Sequence, residues 1–248
     1  MEDRPEQEIV YGRHPVLETL KSRRPVHRLY VLAGARGIPR DLFVLAREQA
    51  IPVIHTDRLR LDRLTRQGNH QGVAAAVASR SFAPLQEVLE RPLGSERPAF
   101  FLVLDGVQDP GNLGALLRTA EAAGVHGVVV PGASSCGLTA AVTRAAAGAD
   151  QYLPVARVEK LAPVLRQFRE GGFEVVGADA SAGEDYTAPP FHRPTVLVLG
   201  AEGRGLGRGL AELCTHRVRI PLLGNVQSLN VAAAGAILMY EVLRQRRA

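Results

Sequence analysis

Four short, continuous apolar segments constrain the fold of this chain more than any other feature of its sequence. Apolar runs of this length are typical of strands that are buried on both faces of a parallel sheet. Helical spacing fills the segments between them, and this alternation predicts an α/β fold with a mostly parallel sheet. The apolar segments are 100–105, 127–130, 174–178 and 195–199, and the predicted helices are 113–123, 139–147 and 161–170.

The first third of the chain has its own, shorter alternation of strands and helices, which predicts a small separate α/β domain. Residues 9–20 are expected to form a turn at Gly12 followed by a helix, and a strand at 72–78 ends the pattern. A stretch containing prolines, with one short helix near 85–89, separates the two patterned parts. The predicted domains are 1–79 and 99–248, joined by a linker at 80–98.

The basic charge of the protein is concentrated in the first of these domains. Residues 9–80 contain 13 Lys and Arg against 5 Asp and Glu, whereas residues 81–248 contain 16 of each. A basic domain joined to a neutral one is typical of proteins that bind polyphosphates such as nucleic acids. A solvated, arginine-rich surface is the alternative. The turn Gly68–Gly72 (GNHQG) also has two interpretations: its polar side chains contact RNA, or the segment only reverses the chain.

Several classes of protein are excluded by composition. No run approaches the ~18 apolar residues of a membrane span, and the acidic start is unlike a secretory signal. The two cysteines, Cys136 and Cys214, favour a reduced, cytoplasmic setting without disulfides. The histidines form no i,i+4 pair and no CxxC is present, so no metal site is expected. The G-x-S-x-G and Walker A patterns are absent as well.

Three polar loops follow apolar strands, and ligands in open α/β sheets bind beyond the carboxyl ends of the strands. Asn112 is expected to cap a helix that begins near Leu113. Arg118 follows within that helix, where it needs a partner if buried and forms a surface ion pair if exposed. Glu202 lies among glycines that permit close approach of the backbone to a ligand. The three loops are 105–118, 200–206 and 220–241.

The third loop leads into the last helix and crowds polar side chains at its N-terminus. Ser228 is expected to be the N-cap of this helix, with Gln227 and Asn230 beside it. The free N–H groups and the positive end of the helix dipole also suit a polar or anionic ligand. From the residues alone, helix capping and a binding site are both open interpretations.

Together, the three loops resemble the three signature motifs of the SpoU/TrmH branch of the SPOUT RNA methyltransferases. Within that branch, the resemblance is to the bacterial enzymes that methylate a guanosine ribose in 23S rRNA. The segments YGRHPVLETL and NHQGVAAAV are also similar to the family's substrate-binding domain, which has an L30e-like fold. The matching motifs are DPGNLGALLRTAEAAG (109–124), LVLGAEGRGL (197–206) and IPLLGNVQSLNVAAAGAILMYE (220–241).

The resemblance implies transfer of a methyl group from S-adenosylmethionine to a ribose 2′-hydroxyl of RNA, without a metal. It implies a trefoil knot in the C-terminal part of the second domain, with the cofactor held in the knot largely by backbone groups. It also implies a homodimer through the knotted domains, with the small-residue face Ala232–Ala236 of the last helix at the interface. The positions that match the family's cofactor-binding residues are Gly200, Ile220 and Leu229.

The resemblance also assigns roles to the polar side chains of the three loops. Arg118 is expected to assist deprotonation of the 2′-hydroxyl by stabilising the developing alkoxide, because a guanidinium is not itself a base in proteins. Asn112 is expected to hold Arg118 or the substrate, and Glu202 to orient the arginine or the ribose. Ser228 and Asn230 match the polar pair of the third motif and complete the expected catalytic set.

Two other functions stay open. One is the same chemistry on tRNA, although tRNA enzymes of this branch often carry terminal helical extensions that have no counterpart in this sequence. The other is a non-catalytic RNA-binding factor in ribosome assembly with a vestigial methylation site. One departure from the family pattern is the all-small segment Ala145–Ala149, where relatives often carry a serine; it leaves the expected catalytic set intact.

Overall fold

A computed structural model describes residues 7–22, 25–35, 37–78, 82–92, 97–201 and 205–247. The chain forms two units: Met1–Ser81 with Gly137–Tyr152, and Phe82–Cys136 with Leu153–Ala248. The strands are β1 (Gln7–Tyr11), β2 (Val26–Leu32), β3 (Val53–Thr56), β4 (Val73–Ala78), β5 (Phe100–Leu104), β6 (Gly127–Pro131), β7 (Val155–Val158), β8 (Glu174–Ala178), β9 (Glu184–Asp185), β10 (Thr195–Leu199) and β11 (His216–Arg219). The α-helices are α1 (Arg13–Lys21), α2 (Arg40–Glu48), α3 (Arg58–Leu64), α4 (Leu85–Glu90), α5 (Pro110–Ala122), α6 (Ala140–Ala145), α7 (Leu161–Glu170), α8 (Arg208–Ala211) and α9 (Val231–Arg247).

The sheet of the first unit has the strand order β1-β4-β2-β3. β4 pairs antiparallel with both β1 and β2, whereas β2 and β3 are parallel. Within residues 9–20, Gly12 precedes the helix α1 as predicted, but Ile9–Tyr11 belong to β1, a strand that was not predicted. The segment QEIVY is not an uninterrupted apolar run, and it is the pairing with β4 that makes it a strand.

Helices cover both faces of this sheet, and successive strand residues divide between the two faces. α1 and α2 pack on the face that carries Val10, together with Leu29 and Val73. α3 packs on the face that carries Tyr11 and Tyr30. The first domain is therefore a three-layer α/β unit.

Residues 137–152 also pack in this first unit, although in the sequence they lie between β6 and β7. The guanidinium carbon of Arg144, on α6, lies 4.3 Å from the centre of the Tyr11 ring. The hydroxyl of Tyr152 donates a hydrogen bond of 2.6 Å to Glu18 Oε2, on α1. The predicted division, which assigned all of 99–248 to one domain, did not anticipate this packing, because it depends on tertiary contacts rather than on local pattern.

The sheet of the second unit has the strand order β7-β6-β5-β10-β8-β11-β9, and all its strand pairs are parallel. The four apolar segments form β5, β6, β8 and β10, which are inner strands of this sheet, as the sequence predicts. The three strands that the sequence did not predict lie toward the edges. They carry less apolar signal: β7 exposes Arg157, β11 exposes Arg217 and Arg219, and β9 has only two residues.

The last helix packs against α5 and β10 through a small residue. A Cβ at Gly235 would lie 2.4 Å from Leu116 Cδ2 and 2.9 Å from Leu199 Cδ1, so only glycine fits without displacing these side chains. Leu116 and Leu199 are themselves buried. At least part of the small-residue face Ala232–Ala236 therefore serves packing within the chain.

Much of the segment predicted as a linker is ordered structure of the second unit. Its short helix is α4, which buries Val88 completely. The backbone N–H of Ala83 donates to the carbonyl of Val155, at the start of β7. Across the described part of the chain, none of the helices combines the length and the apolar character needed to cross a membrane.

Candidate functional site

A cavity of about 660 Å³ lies at the carboxyl ends of β8, β10 and β11. Its walls are the segments that follow these strands and the segment that leads into α9. In a parallel sheet these ends lie on one edge, where open α/β folds bind ligands. The volume is within the usual range for pockets that bind small molecules. The lining residues that bear on function are Asp179, Ser181, Gly200, Ile220, Ser228, Leu229 and Asn230.

The three predicted cofactor positions, Gly200, Ile220 and Leu229, all line this cavity. The backbone beside Gly200 is packed so closely that a Cβ there would lie 2.2 Å from the carbonyl atoms of Gly205. The N–H of Gly205 donates to the carbonyl of Ala201 at 2.9 Å and closes the loop. This wall of the cavity is therefore built from backbone groups, which can hold a ligand without charged side chains.

Ser228 and Asn230 line the same cavity, but their local roles differ from the prediction. Helix α9 begins at Val231, and Oδ1 of Asn230 accepts hydrogen bonds from the N–H groups of Ala232 at 2.9 Å and Ala233 at 3.3 Å. Asn230 is therefore the N-cap, and the prediction of Ser228 was wrong. Ser228 is exposed two residues before this position, too early in the chain to reach the first turn.

Asn112 contacts Asn230 across the two helix N-termini. The Asn230 side-chain amide donates to Asn112 Oδ1 at 3.0 Å. Asn112 was predicted to cap its own helix, but it does not, because α5 begins earlier, at Pro110. Its N-cap is Asp109, whose Oδ1 accepts from the backbone N–H of Asn112 at 2.8 Å. The structure thus brings the first and third motifs together at the edge of the cavity.

Arg118 lies apart from this pair within one chain. It follows Asn112 by six residues on α5, which places it about 9 Å along the helix axis and about a third of a turn away. It is exposed, does not line the cavity, and its guanidinium makes no hydrogen bond or ion pair with the described part of the chain. Glu202, the remaining predicted catalytic residue, lies outside the described residues.

Asp179 and Ser181 line the cavity and were missed from the sequence. Asp179 Oδ1 accepts hydrogen bonds from Ser181 Oγ at 2.6 Å and Ser181 N at 2.9 Å, and Arg217 lies 3.6 Å from Oδ2. The Ser181 hydroxyl, with its N–H and Arg217, lowers the pKa of Asp179, although partial burial opposes this shift. The cavity therefore carries an ionised carboxylate at neutral pH. The sequence did contain a signal that Asp179 lies at the site, because Asp179 directly follows the apolar segment 174–178.

The cysteines show no sign of a reactive thiol. Burial raises the pKa of Cys214 to about 11 and raises that of Cys136 as well. Both thiols are thus protonated at neutral pH and act as small, partly buried packing groups. Within the described ranges, no group of three or more His, Cys, Asp and Glu side chains could hold a metal ion.

Family comparisons match both parts of the chain. Residues 99–240 match the SpoU rRNA methylase family, and residues 9–83 match the RNA 2′-O ribose methyltransferase substrate-binding family. YacO of Bacillus subtilis strain 168, which is assigned to the TrmH family of tRNA/rRNA methyltransferases, is 40% identical over 242 residues. This alignment covers 97% of each chain.

Two solved structures share the fold over nearly the whole chain. The SpoU methyltransferase AviRb from Streptomyces viridochromogenes, in complex with the cofactor AdoMet, has a TM-score of 0.81 and 27% identity, covering 98% of this chain and 91% of its own. The AdoMet-bound rRNA methyltransferase from Sinorhizobium meliloti has a TM-score of 0.81 and 27% identity, covering 96% of this chain and 87% of its own. The predicted α/β fold class and the resemblance to the SpoU/TrmH family are both confirmed.

The cavity suits the cofactor of this family. Its volume, its backbone-lined wall at Gly200 and its ionised Asp179 fit a ligand with an adenosine part, hydroxyls and a positively charged end. S-adenosylmethionine has these features and supplies an activated methyl group when bound. On this geometry and on the match of both parts of the sequence, the chain belongs to the SpoU family of RNA 2′-O-methyltransferases, which use S-adenosylmethionine.

Proposed function

We propose that this protein methylates the ribose 2′-hydroxyl of a guanosine in 23S rRNA, in the cytoplasm. The observation that carries the proposal is the cavity at the carboxyl ends of β8, β10 and β11, with the Asn112–Asn230 pair at its edge. An rRNA substrate is supported by the basic character of residues 9–80 and by the S. meliloti relative, which is described as an rRNA methyltransferase.

In this proposal the cofactor occupies the cavity, where Gly200, Ile220 and Leu229 hold it mainly through backbone groups. The Asn112–Asn230 pair then lies where the ribose enters, with amide groups available to orient the 2′-hydroxyl for in-line attack. Ser228, which is exposed at the cavity wall, supplies a further hydroxyl for hydrogen bonding to RNA. Glu202, which follows Gly200 and Ala201 in the sequence, orients Arg118 or the ribose.

Arg118 stabilises the alkoxide that develops as the 2′-hydroxyl loses its proton. A guanidinium keeps its charge and cannot take the proton itself, so the proton passes to another acceptor. Its exposure and its lack of a partner in the described chain support a role toward a bound macromolecule rather than in the core.

We also infer a homodimer formed through the second domain. The segment from Leu223 to Tyr240 exposes several large apolar side chains, including Leu223, Val226, Ile237 and Tyr240. Four of the eight exposed large apolar side chains of the described residues lie in this segment, and such a concentration supports an interaction site. The inferred interface includes the outer side of α9, and sedimentation of the purified protein tests it.

tRNA is the alternative substrate, because relatives such as YacO are described as tRNA/rRNA methyltransferases, a description that does not choose between the two. The test uses labelled S-adenosylmethionine with unmodified 23S rRNA transcript and unmodified tRNA, beside an Arg118→Ala control. Alkali-resistant ribose label on the rRNA, absent with the variant, is the expected result. Label on tRNA alone would show that tRNA, rather than 23S rRNA, is the substrate. Label on neither RNA would favour the interpretation of the protein as a non-catalytic assembly factor.

A further inference from the structure

Polar side chains line the cavity of the second unit at two separate places. Gln227, Ser228 and Asn230 lie on the segment that leads into α9, whereas Asp179 and Ser181 follow β8. Asp179 is the only ionisable side chain among the described residues of the cavity wall. A few placed polar groups usually fix the orientation of a ligand in such a cavity. The atoms around Asp179 therefore indicate which part of a ligand it binds.

A short turn holds Asp179 in place. Its N–H donates to the carbonyl of Val218 at 2.9 Å, and its carbonyl accepts from the N–H of Ala182, a buried residue, at 3.0 Å. Oδ1 of Asp179 accepts two hydrogen bonds from Ser181, one from the N–H and one from the hydroxyl. The turn therefore fixes the orientation of the carboxylate.

The second carboxylate oxygen, Oδ2, keeps its capacity to accept hydrogen bonds. Arg217 Nη1 lies 3.6 Å from Asp179 Oδ2, which is close enough for an ion pair but too long for a hydrogen bond. No donor from the described part of the chain bonds to Oδ2. A carboxylate oxygen accepts about two hydrogen bonds. Oδ2 is therefore available to donors of a ligand in the cavity.

A second turn of the same chemistry lies outside the cavity. Asp185 Oδ1 accepts from the N–H of Thr187 at 3.0 Å and from its hydroxyl at 2.7 Å, and the Asp185 carbonyl accepts from the N–H of Ala188 at 3.0 Å. The Thr187 hydroxyl and N–H lower the pKa of Asp185, just as those of Ser181 lower the pKa of Asp179. The turn at Asp185 therefore shows the structural role of such an aspartate separately from any role at the cavity.

The strand order places Asp179 away from the Asn112–Asn230 pair. β10 lies between β5 and β8 in the sheet, and Asn112 follows β5 whereas Asp179 follows β8. Helix α9, which Asn230 caps, packs on α5 and β10. In the proposed function the methyl-bearing sulfur of the cofactor faces the Asn112–Asn230 pair. Asp179 is then matched with a part of the cofactor that is remote from the methyl group.

Three remote parts of S-adenosylmethionine donate hydrogen bonds: the ribose hydroxyls, the α-ammonium group and the adenine amino group. Arg217 already faces the carboxylate of Asp179, so a second cation is favoured less there than a neutral donor. The adenine edge combines donor and acceptor atoms, which backbone N–H and carbonyl groups such as those beside Gly200 match better than a carboxylate does. Two adjacent hydroxyls, which are neutral donors, suit the open oxygen of Asp179 best.

We propose that Asp179 binds the ribose hydroxyls of S-adenosylmethionine through Oδ2, and that Ser181 positions this carboxylate. Asp179 thereby recognises the nucleoside part of the cofactor, in addition to the backbone groups at Gly200, Ile220 and Leu229. The inference rests on the proposed function in that the cofactor occupies this cavity.

The test compares Asp179→Asn with the matched variant Asp185→Asn in the full-length protein. Each substitution keeps the shape of the side chain and removes one carboxylate from the same kind of turn. Isothermal titration measures binding of S-adenosylmethionine, S-adenosylhomocysteine and 5′-methylthioadenosine, and thermal unfolding measures stability. The second ligand lacks the positive charge on sulfur, and the third also lacks the amino-acid part. All three keep the ribose hydroxyls.

We expect Asp179→Asn to bind all three ligands roughly tenfold more weakly, because each loses a hydrogen bond to a charged group. Asp185→Asn keeps wild-type affinities, although the melting temperature falls by a similar amount in both variants. The 2′-deoxy and 3′-deoxy forms of 5′-methylthioadenosine bind the wild type more weakly than the parent compound does. This difference shrinks in Asp179→Asn, since the carboxylate and the hydroxyls are coupled. Ser181→Ala also weakens binding of all three ligands, but less than Asp179→Asn does.

Other patterns of affinity would reject the ribose contact. A loss for S-adenosylmethionine and S-adenosylhomocysteine but not for 5′-methylthioadenosine would assign Asp179 to the α-ammonium group, and a loss for S-adenosylmethionine alone would assign it to the charged sulfur. A loss for all three ligands without any change in the effect of the deoxy forms would assign it to the adenine. An equal loss in Asp179→Asn and Asp185→Asn would indicate a structural effect of the turns.

Gly200→Ala distinguishes failure of this inference from failure of the proposed function. Wild-type affinities in Asp179→Asn, together with weakened binding in Gly200→Ala, would reject the role of Asp179 alone. Wild-type affinities in both variants would place the cofactor outside the cavity and would reject the proposed function together with the inference.

Discussion

The side-chain amide of Asn230 donates a hydrogen bond of 3.0 Å to Oδ1 of Asn112, and this bond joins the N-termini of α9 and α5. Asn230 also caps α9, whereas Asn112 has no capping role. We expect Asn230→Ala to lower the free energy of unfolding by about 1 kcal/mol and Asn112→Ala by less. Methyl transfer falls in both variants, and the double variant is no slower than the worse single one. Additive kinetic losses would show that the two amides act separately.

Arg118→Ala is expected to lower kcat by about 100-fold, because a charge that stabilises the developing alkoxide is lost. Its melting temperature stays that of the wild type, since Arg118 is exposed and makes no bond within the described chain. Arg166→Ala, which removes an exposed arginine from α7, is the control and leaves kcat unchanged. Single-turnover methylation measures the rate. A change in cofactor affinity as large as the change in kcat would place Arg118 in cofactor binding instead.

Gly200→Ala is expected to weaken S-adenosylmethionine binding at least tenfold. The new Cβ would meet the backbone of Gly205 and Leu206 at 2.2 and 2.5 Å, and backbone cannot move aside as a side-chain end can. The loop that forms this wall of the cavity must then shift. Gly209→Ala is the control, because a Cβ there meets nothing within 4 Å. Isothermal titration with the cofactor measures both variants, and equal affinities would contradict the role of the loop.

Gly235→Val is expected to destabilise the protein by about 1–3 kcal/mol through overpacking against Leu116 and Leu199. A glycine in the middle of a helix usually costs stability, so the sign expected from helix propensity alone is the opposite. Ala233→Val, at an exposed position of the same helix, controls for the lower helix propensity of valine. Thermal unfolding measures both, and a larger effect at position 233 would contradict the packing argument.

Glu241 makes stability depend on pH in the acidic range. Its carboxylate accepts two hydrogen bonds from Arg244 and one from Gln245. Hydrogen bonding from Arg244, with Gln245, lowers the pKa of Glu241 from its ordinary value of 4.5, although burial and Asp185 oppose the shift. The stabilisation is therefore complete above pH 4.5 and is lost as pH falls through the lowered pKa.

Glu241→Gln tests this dependence. Between pH 7 and pH 3 the melting temperature of the wild type should fall further than that of the variant, which has no carboxylate to protonate at this position. Thermal melts at closely spaced pH values, at constant ionic strength, provide the measurement. Parallel curves for the two proteins would show that Glu241 does not contribute to the acid sensitivity.

The inner strands of the second unit were predictable from the sequence because burial on both faces leaves an uninterrupted apolar run. β1, β7, β9 and β11 were not, since polar residues interrupt each of them and each is held by pairing with a neighbouring strand. At the mouth of α9, Gln227, Ser228 and Asn230 are all capable of capping, and only the position of the first turn selects Asn230. The sequence pattern identifies the polar segment before a helix, but the three-dimensional structure decides which of its polar residues is the N-cap.

The candidate site was predictable in part, for a related reason. Gly200, Ile220 and Leu229 come together because strand ends in a parallel sheet share one edge, which follows from topology. Asp179 follows the same rule but its segment resembled no motif. The start of α5 was placed three residues too late, with Asn112 rather than Asp109 as its cap. The exposed position of Arg118 outside the cavity depends on tertiary packing, which the sequence pattern does not contain. The catalytic roles of these residues remain predictions.

The packing of residues 137–152 in the first unit has a consequence for synthesis of the chain. β1 and α1 are made first, but α6, which packs beside Tyr11, is made only after β5, α5 and β6. Domains tend to fold as the chain emerges, N-terminal part first. One face of the first sheet therefore stays incompletely covered until α6 is made, and by then part of the second sheet has been synthesised. The two halves of the molecule are therefore expected to fold in an interleaved order, and a pause in translation between β4 and α6 would prolong exposure of that face.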